Sequence, residues 1–182
     1  YSYIKSGSSS STTVAGFTDV RTTDYFCDAV KWAVENNITT GTNDGTTFSP
    51  DWTVDRAQAV TFLWRTKGCP EPTKSTSGFS DVEAGSWYEK AVIWAVEKGI
   101  TNGTGGGEFS PEMTLSRSQW VTMLWRALGK EGKTGEGEWY TDAENWAKAN
   151  GLLKGTAKAY ATEADCPRCD VVYYIYNAMK KE

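Results

Sequence analysis

Val54-Asp55-Arg56-Ala57-Gln58-Ala59-Val60-Thr61-Phe62-Leu63-Trp64-Arg65 returns 61 residues later as Leu115-Ser116-Arg117-Ser118-Gln119-Trp120-Val121-Thr122-Met123-Leu124-Trp125-Arg126. A looser third copy reads Cys166-Pro167-Arg168-Cys169-Asp170-Val171-Val172-Tyr173-Tyr174-Ile175-Tyr176-Asn177. Each copy sets a small or capping residue before an Arg and follows it with an apolar run of helical character. Ser116 and Gln119 have capping-box spacing, and Asp55 with Gln58 comes close to it. Arg56, Arg117 and Arg168 therefore fall in the first turn of a helix. That end is already partially positive, so a cation there is unfavourable. The same misplacement in three repeats points to an arriving anion.

Working outward, Phe17-Thr18-Asp19-Val20 recurs as Phe79-Ser80-Asp81-Val82, and Trp32-Ala33-Val34-Glu35 as Trp94-Ala95-Val96-Glu97, both at an offset of 62. Phe48-Ser49-Pro50 recurs as Phe109-Ser110-Pro111 at 61. Trp87-Tyr88 and Trp94-Ala95 return as Trp139-Tyr140 and Trp146-Ala147 at 52, but the third copy has neither Phe-x-Asp-Val nor Phe-Ser-Pro. The spacing predicts a first helix over 25–36, 87–98 and 139–150, closed by Asn37, Gly99 and Gly151, residues that accept the left-handed conformation. Ile38, Ile100 and Leu152 follow as the apolar contact beyond such a cap. A Gly-bearing loop (Gly41, Gly103, Gly155) leads to a second, more apolar helix over 55–66, 116–128 and 167–180. One helix pair cannot bury its own apolar faces, whereas three pairs around a shared axis can.

The expected fold is thus all-α: three helix-loop-helix repeats at 17–68, 79–130 and 138–182, forming one cooperative unit over 17–182. Residues 1–16, with an unbroken Ser/Thr run over 8–13, read as a linker. Residues 67–78 and 129–138 connect the repeats. The chain has 182 residues, a net charge of −4 and a pI near 5.0, which argues against nucleic acid as a general partner. No apolar run approaches the roughly 20 residues of a membrane span. The chain starts at Tyr1, and we read it as a piece of a longer parent.

There is no His, which removes the commonest general base and metal ligand. The four Cys are Cys27, Cys69, Cys166 and Cys169. Cys166 and Cys169 occupy apolar repeat positions and are expected to be buried; the βαβ setting of a redox Cys-x-x-Cys is missing. No acidic pair is shared between the repeats as a glycosidase would need. No cofactor, metal or catalytic residue is expected.

With these landmarks in order, the chain from Phe17 onward resembles three tandem S-layer homology (SLH) modules, the third divergent. The family pattern is Phe-x-Asp-Val, an aromatic-opened helix, Gly-Ile-x-x-Gly, Phe-x-Pro, then Thr-Arg-Ala-Glu and an apolar helix. The resemblance implies a pseudo-threefold, three-pronged domain around a central three-helix bundle. It also implies an extracellular role: anchoring an exported protein to the bacterial wall by holding an anionic, often pyruvylated, secondary polysaccharide in inter-repeat grooves. Here the Arg motif reads Asp-Arg-Ala-Gln, Ser-Arg-Ser-Gln and Pro-Arg-Cys-Asp. Every copy keeps the Arg, and none keeps Thr with Glu.

The candidate binding residues are Arg56, Arg117 and Arg168 with their neighbours Asp55, Ser116, Gln58 and Gln119. Asp19 and Asp81 bond sugar hydroxyls or cap the turn to the first helix. Trp87 and Trp139, with Tyr25 at the matching place, stack on sugar rings or pack in the core. Gly41 and Gly103 admit a ligand to the backbone or simply turn it. Arg168, beside Pro167 and in the copy without an entry segment, is expected to contribute least. The competing function is a structural or assembly module with degenerate sugar sites, its Arg residues clamping the repeats together.

Overall fold

A computed structural model describes residues 13–131, 137–156 and 160–182. Residues 1–12 of the linker expected over 1–16, and part of the Gly-rich connection expected over 129–138, lie outside the described residues. Among the described residues there are six α-helices: α1 Cys27–Glu35, α2 Arg56–Thr66, α3 Glu89–Glu97, α4 Arg117–Ala127, α5 Thr141–Ala149 and α6 Arg168–Met179. Among the described residues there are isolated β-bridges but no strand, so the protein is all-α.

The second helices lie within about a residue of their expected limits, and side chains fix the starts of α2 and α4. The Asp55 carboxylate accepts from the Gln58 amide (2.8 Å) while Gln58 Oε1 accepts from the Asp55 amide, and Ser116 with Gln119 repeats the exchange. The first helices begin two residues later than expected. The aromatic pairs Tyr25–Phe26, Trp87–Tyr88 and Trp139–Tyr140 sit in the turn ahead of the helix, ring edge to ring face at 5.1 Å. Each first helix ends as its sequence demands. Asn37, Gly99 and Gly151 take φ of 57°, 67° and 66°, and the next amide (Ile38, Ile100, Leu152) reaches back to the carbonyl of Ala33, Ala95 or Ala147.

The helix pairs are not those of the repeats. The second helix of each repeat packs on the first helix of the next, α2 on α3 and α4 on α5, and α1 closes on α6. The 67–78 connection holds one such pair: Trp64 Nε1 donates to the Pro70 carbonyl, and Thr73 Oγ1 to Glu97. In the middle, α4 touches both α2 and α6. The second helices are buried nearly all round, α2 through Ala57, Ala59, Val60, Phe62 and Leu63, and carry the core. Val14, expected to lie in the linker, is 2% exposed and exchanges backbone hydrogen bonds with Phe17, so the core begins there. Of the Trp residues in the first helices, Trp94 is buried and Trp32 and Trp146 pack partly buried against the core.

The start of each second helix is tied to another repeat. Arg56 and Ala57 donate their amides to the carbonyls of Met113 and Pro111. Arg117 and Ser118 donate to Ala164 and Thr162, and Arg168 and Cys169 to Trp52 and Pro50. These bonds run from repeat one to two, two to three and three back to one. They also correct the expectation that an anion meets the bare helix end, because the first-turn amides already have acceptors.

Candidate binding grooves

Asp19 holds the Phe48 and Ser49 amides, one on each carboxylate oxygen (2.8 Å each), and Asp81 holds those of Phe109 and Ser110 (2.8 and 2.7 Å). Neither caps the turn to the first helix. The carboxylate fixes the Phe-Ser-Pro segment, whose Ser49 and Ser110 take a positive φ of 57°. Burial would raise the Asp81 carboxyl, but the Phe109 and Ser110 amides and the Arg56 charge together hold it below its ordinary value. Gly41 and Gly103 belong to the same framework. A Cβ on Gly41 would lie 2.3 Å from the Phe17 ring and 2.5 Å from the Thr47 carbonyl oxygen; on Gly103 it would lie 2.4 Å from that of Glu108. These glycines let the chain pack under the Phe of Phe-x-Asp-Val.

The Phe carbonyls so positioned receive an Arg from the preceding repeat. Arg56 Nε donates to the Phe109 carbonyl (2.8 Å) and Nη2 to Thr101 Oγ1 (3.1 Å). Arg168 Nε donates to the Phe48 carbonyl (2.8 Å) and Nη2 to Thr39 Oγ1 (2.9 Å). Arg168 of the divergent third copy thus serves the intact first repeat. Arg117 points to the third repeat, which offers no Phe-Ser-Pro. There Arg117 Nη1 instead meets the Asp170 carboxylate and the Tyr174 hydroxyl, each at 2.7 Å.

All three Arg are buried, at 4%, 3% and 6% exposure for Arg56, Arg117 and Arg168. Their electrostatics differ. Arg117 is raised above its ordinary value, because Tyr174 and Asp170 outweigh burial. Arg56 is lowered by burial, and Arg168 by burial and by the charge of Arg65. Among the described residues Arg56 and Arg168 have no carboxylate partner; both oxygens of Asp19 and of Asp81 are taken by amides. Asp81 and Asp19 act on them only from beyond ion-pair distance, and burial outweighs that attraction.

Each of these two Arg lines a cleft built to one plan. The first groove, ≈ 220 Å³, is lined by Thr39, Gly41, Gln58, Arg65, Trp87 and Arg168 among others. The second, ≈ 530 Å³, has Thr101, Gly103, Gln119, Arg126, Trp139 and Arg56 at the matching places. No lining residue of either is acidic. Trp87 and Trp139 are 60% and 56% exposed, so neither is a core residue. Arg65 and Arg126, which sequence reasoning passed over, donate to the carbonyls of Ile38 and Ile100. Their signal was available: both stand at one position of the repeat, where the third copy has Asn177, which donates to the Leu152 carbonyl.

At the third position the chain supplies its own partners, beside a cleft of ≈ 500 Å³ that Tyr25, Arg117 and the carboxylates of Asp19, Asp24, Asp51 and Asp170 line. Tyr25, the counterpart of Trp87 and Trp139, donates its hydroxyl to Asp170, and Tyr173 donates to the Lys154 carbonyl. Relative to the other grooves it has exchanged an Arg for Asn177 and gained a carboxylate. Asp55 and Ser116 are occupied as caps, and Gln58 and Gln119 both cap and line their grooves. Cys166 and Cys169 are 0% and 3% exposed, and burial raises both thiols, Cys169 to about 12. That environment suits packing and opposes redox chemistry.

No helix among the described residues is long and apolar enough to cross a membrane. A family model described as the S-layer homology domain matches residues 16–60 and 78–119. Relatives include a surface-layer 125 kDa protein of Lysinibacillus sphaericus, 33% identical over 72% of this chain and 12% of that protein. A cellulosome-anchoring protein of Acetivibrio thermocellus is 29% identical over 69% of the chain and 29% of its own length. An S-layer protein of Bacillus anthracis is 26% identical over 91% of the chain and 20% of its own length. The chain spans less than a third of each of these relatives. Two repeats that carry the family's motifs in order, folded into the helices and grooves described, make this chain a member of the S-layer homology family, whose modules work at the bacterial cell surface.

Proposed function

We propose that the chain anchors a longer exported parent to the bacterial cell wall by binding an anionic secondary polysaccharide, acting by binding and not by turnover. The observation that carries this reading is the contrast among the three Arg. Arg56 and Arg168 are buried cations with no carboxylate in ion-pair contact, each lining an acid-free groove with a second Arg and an exposed Trp. Arg117, in the degenerate third position, has Asp170 as an internal anion. The ligand's carboxylate, such as that of a pyruvyl substituent, takes in the first two grooves the part that Asp170 plays in the third. Trp87 and Trp139 offer faces for the sugar rings. In this reading three modules are present, two grooves bind, and Arg168 contributes more to binding than Arg117, the reverse of the sequence expectation.

The bonds from Arg56 and Arg168 to Phe carbonyls and Thr hydroxyls favour a second reading, in which they are structural clamps. Binding of the fragment to purified sacculi, with and without chemical removal of the secondary polymer, tests the first. Arg56→Ala and Arg168→Ala should each cost about 1.5–3 kcal/mol of binding, roughly one to two decades in affinity. Normal binding by both, with strongly lowered melting temperatures, would transfer the case to the clamp.

A further inference from the structure

The two grooves are not equivalent. In the first, the Arg168 guanidinium lies between the Phe48 and Phe62 rings, at 5.1 and 5.2 Å from their centroids. In the second, Met123 stands where Phe62 would be, Arg56 stacks on Phe109 alone at 4.9 Å, and the cleft is more than twice as large. A difference in polar chemistry accompanies the difference in size. Thr61, on the floor of the first groove, donates its hydroxyl to the Ala57 carbonyl one turn back (2.8 Å). Thr122, its counterpart, lines the second groove and is 1% exposed, but its Oγ1 has no hydrogen-bond partner. An unpartnered buried hydroxyl carries a desolvation penalty with nothing to offset it. Its neighbours in the groove are Arg56, Gln119, Met113 and Trp139.

We propose that the second groove is the discriminating site of the domain and that Thr122 contacts the ligand there, its hydroxyl donating to an acceptor oxygen of the anionic sugar unit held by Arg56. The proposal rests on the wall-polymer reading above and names the residue that makes one groove more exacting than the other. A site whose buried polar group is completed only by the ligand rejects analogues lacking the matching oxygen. The first groove, with Thr61 already satisfied, recognises charge and ring face alone.

The test is calorimetric titration of the 182-residue chain with short anionic oligosaccharides released from purified sacculi, fitted to two classes of site. Thr122→Val should weaken one class by about tenfold, leave the other unchanged and leave the melting temperature at or above that of the parent, because no bond of the free protein is lost. Thr122→Ser should restore affinity to within about threefold. Thr66→Val, which removes the like bond to the Phe62 carbonyl outside both grooves, should move neither class by more than about twofold. Parental affinity in Thr122→Val, alongside loss of one class in Arg56→Ala, would overturn the role of Thr122 and leave the wall-polymer reading standing. Parental affinity in Arg56→Ala and Arg168→Ala would remove that reading and this inference with it. A Thr122→Val chain that binds weakly only because it melts lower would make the hydroxyl structural and overturn the proposal.

Discussion

Arg117 and its two counterparts occupy one repeat position and should fail in opposite ways. Arg117 and Asp170 are a buried pair, with side chains 4% and 2% exposed. Arg117→Ala strands the carboxylate, and breaking such a pair typically costs about 3–5 kcal/mol. Thermal melts should show this loss while any folded fraction still binds sacculi. Arg117→Ala and Arg56→Ala with equal melting and equal binding would erase the distinction between the grooves. Asp81 supplies a pH signature. Its carboxyl lies below its ordinary value in the folded state, so its contribution is complete above the unfolded value of about 3.9 and fades as pH falls through the folded one. Asp81→Asn should lower stability at pH 7 and flatten the loss of stability below about pH 4. The measurement is chemical denaturation across pH, and an unchanged acid limb would remove Asp81 from the account.

At the scale of elements, the sequence was most legible where a local rule decides. Capping boxes, left-handed Asn37, Gly99 and Gly151, and the apolar periods placed the second helices to within about a residue and both ends of the first to within two. The Arg were legible as first-turn residues, but their burial and their partners were not. Arg56 meets Phe109 and Thr101, more than 40 residues away, because the helix start is docked on the next repeat. No periodicity carries that cross-repeat register, and neither does it reveal that Asp19 and Asp81 serve Phe-Ser-Pro. That link explains why the third copy lacks both motifs together: with no amides to hold, its Asp has no task. Two element-level substitutions follow. Ser116→Ala, which removes a cap, should cost about 1 kcal/mol. Gly103→Ala should cost more than an ordinary surface change, because φ is 85° and the new Cβ meets the Glu108 carbonyl at 2.4 Å. Melting curves of the two variants check the order, and Gly103→Ala as the milder would contradict the packing argument.

For the whole molecule, the pairing of α1 with α6 closes the chain on itself. A string of self-contained repeats would tolerate loss of one. Here, removing α6 uncovers α1 and takes Arg168 from the Phe48 carbonyl of repeat one. Truncation before residue 160 should therefore unfold the first repeat as well as the third. In the intact chain, Trp fluorescence and far-UV circular dichroism should follow one transition, and two well-separated transitions would show independent units. The all-α class was readable from the repeats, but the exchange of partners between them was not, because either pairing buries the same apolar faces.

The α1–α6 seam also bears on mechanical load. An anchor is pulled, and tension entering ahead of Val14, through the Asp19 bonds to Phe48 and Ser49, or after α6 is borne by the two repeats that this helix–helix contact joins. The seam is backed at its far end by the Arg168 bonds to Thr39 and Phe48, which border the first groove. On the proposed reading, a ligand that fills this groove braces the junction on which the pull falls and couples the grip on the wall to the domain's resistance to being drawn open.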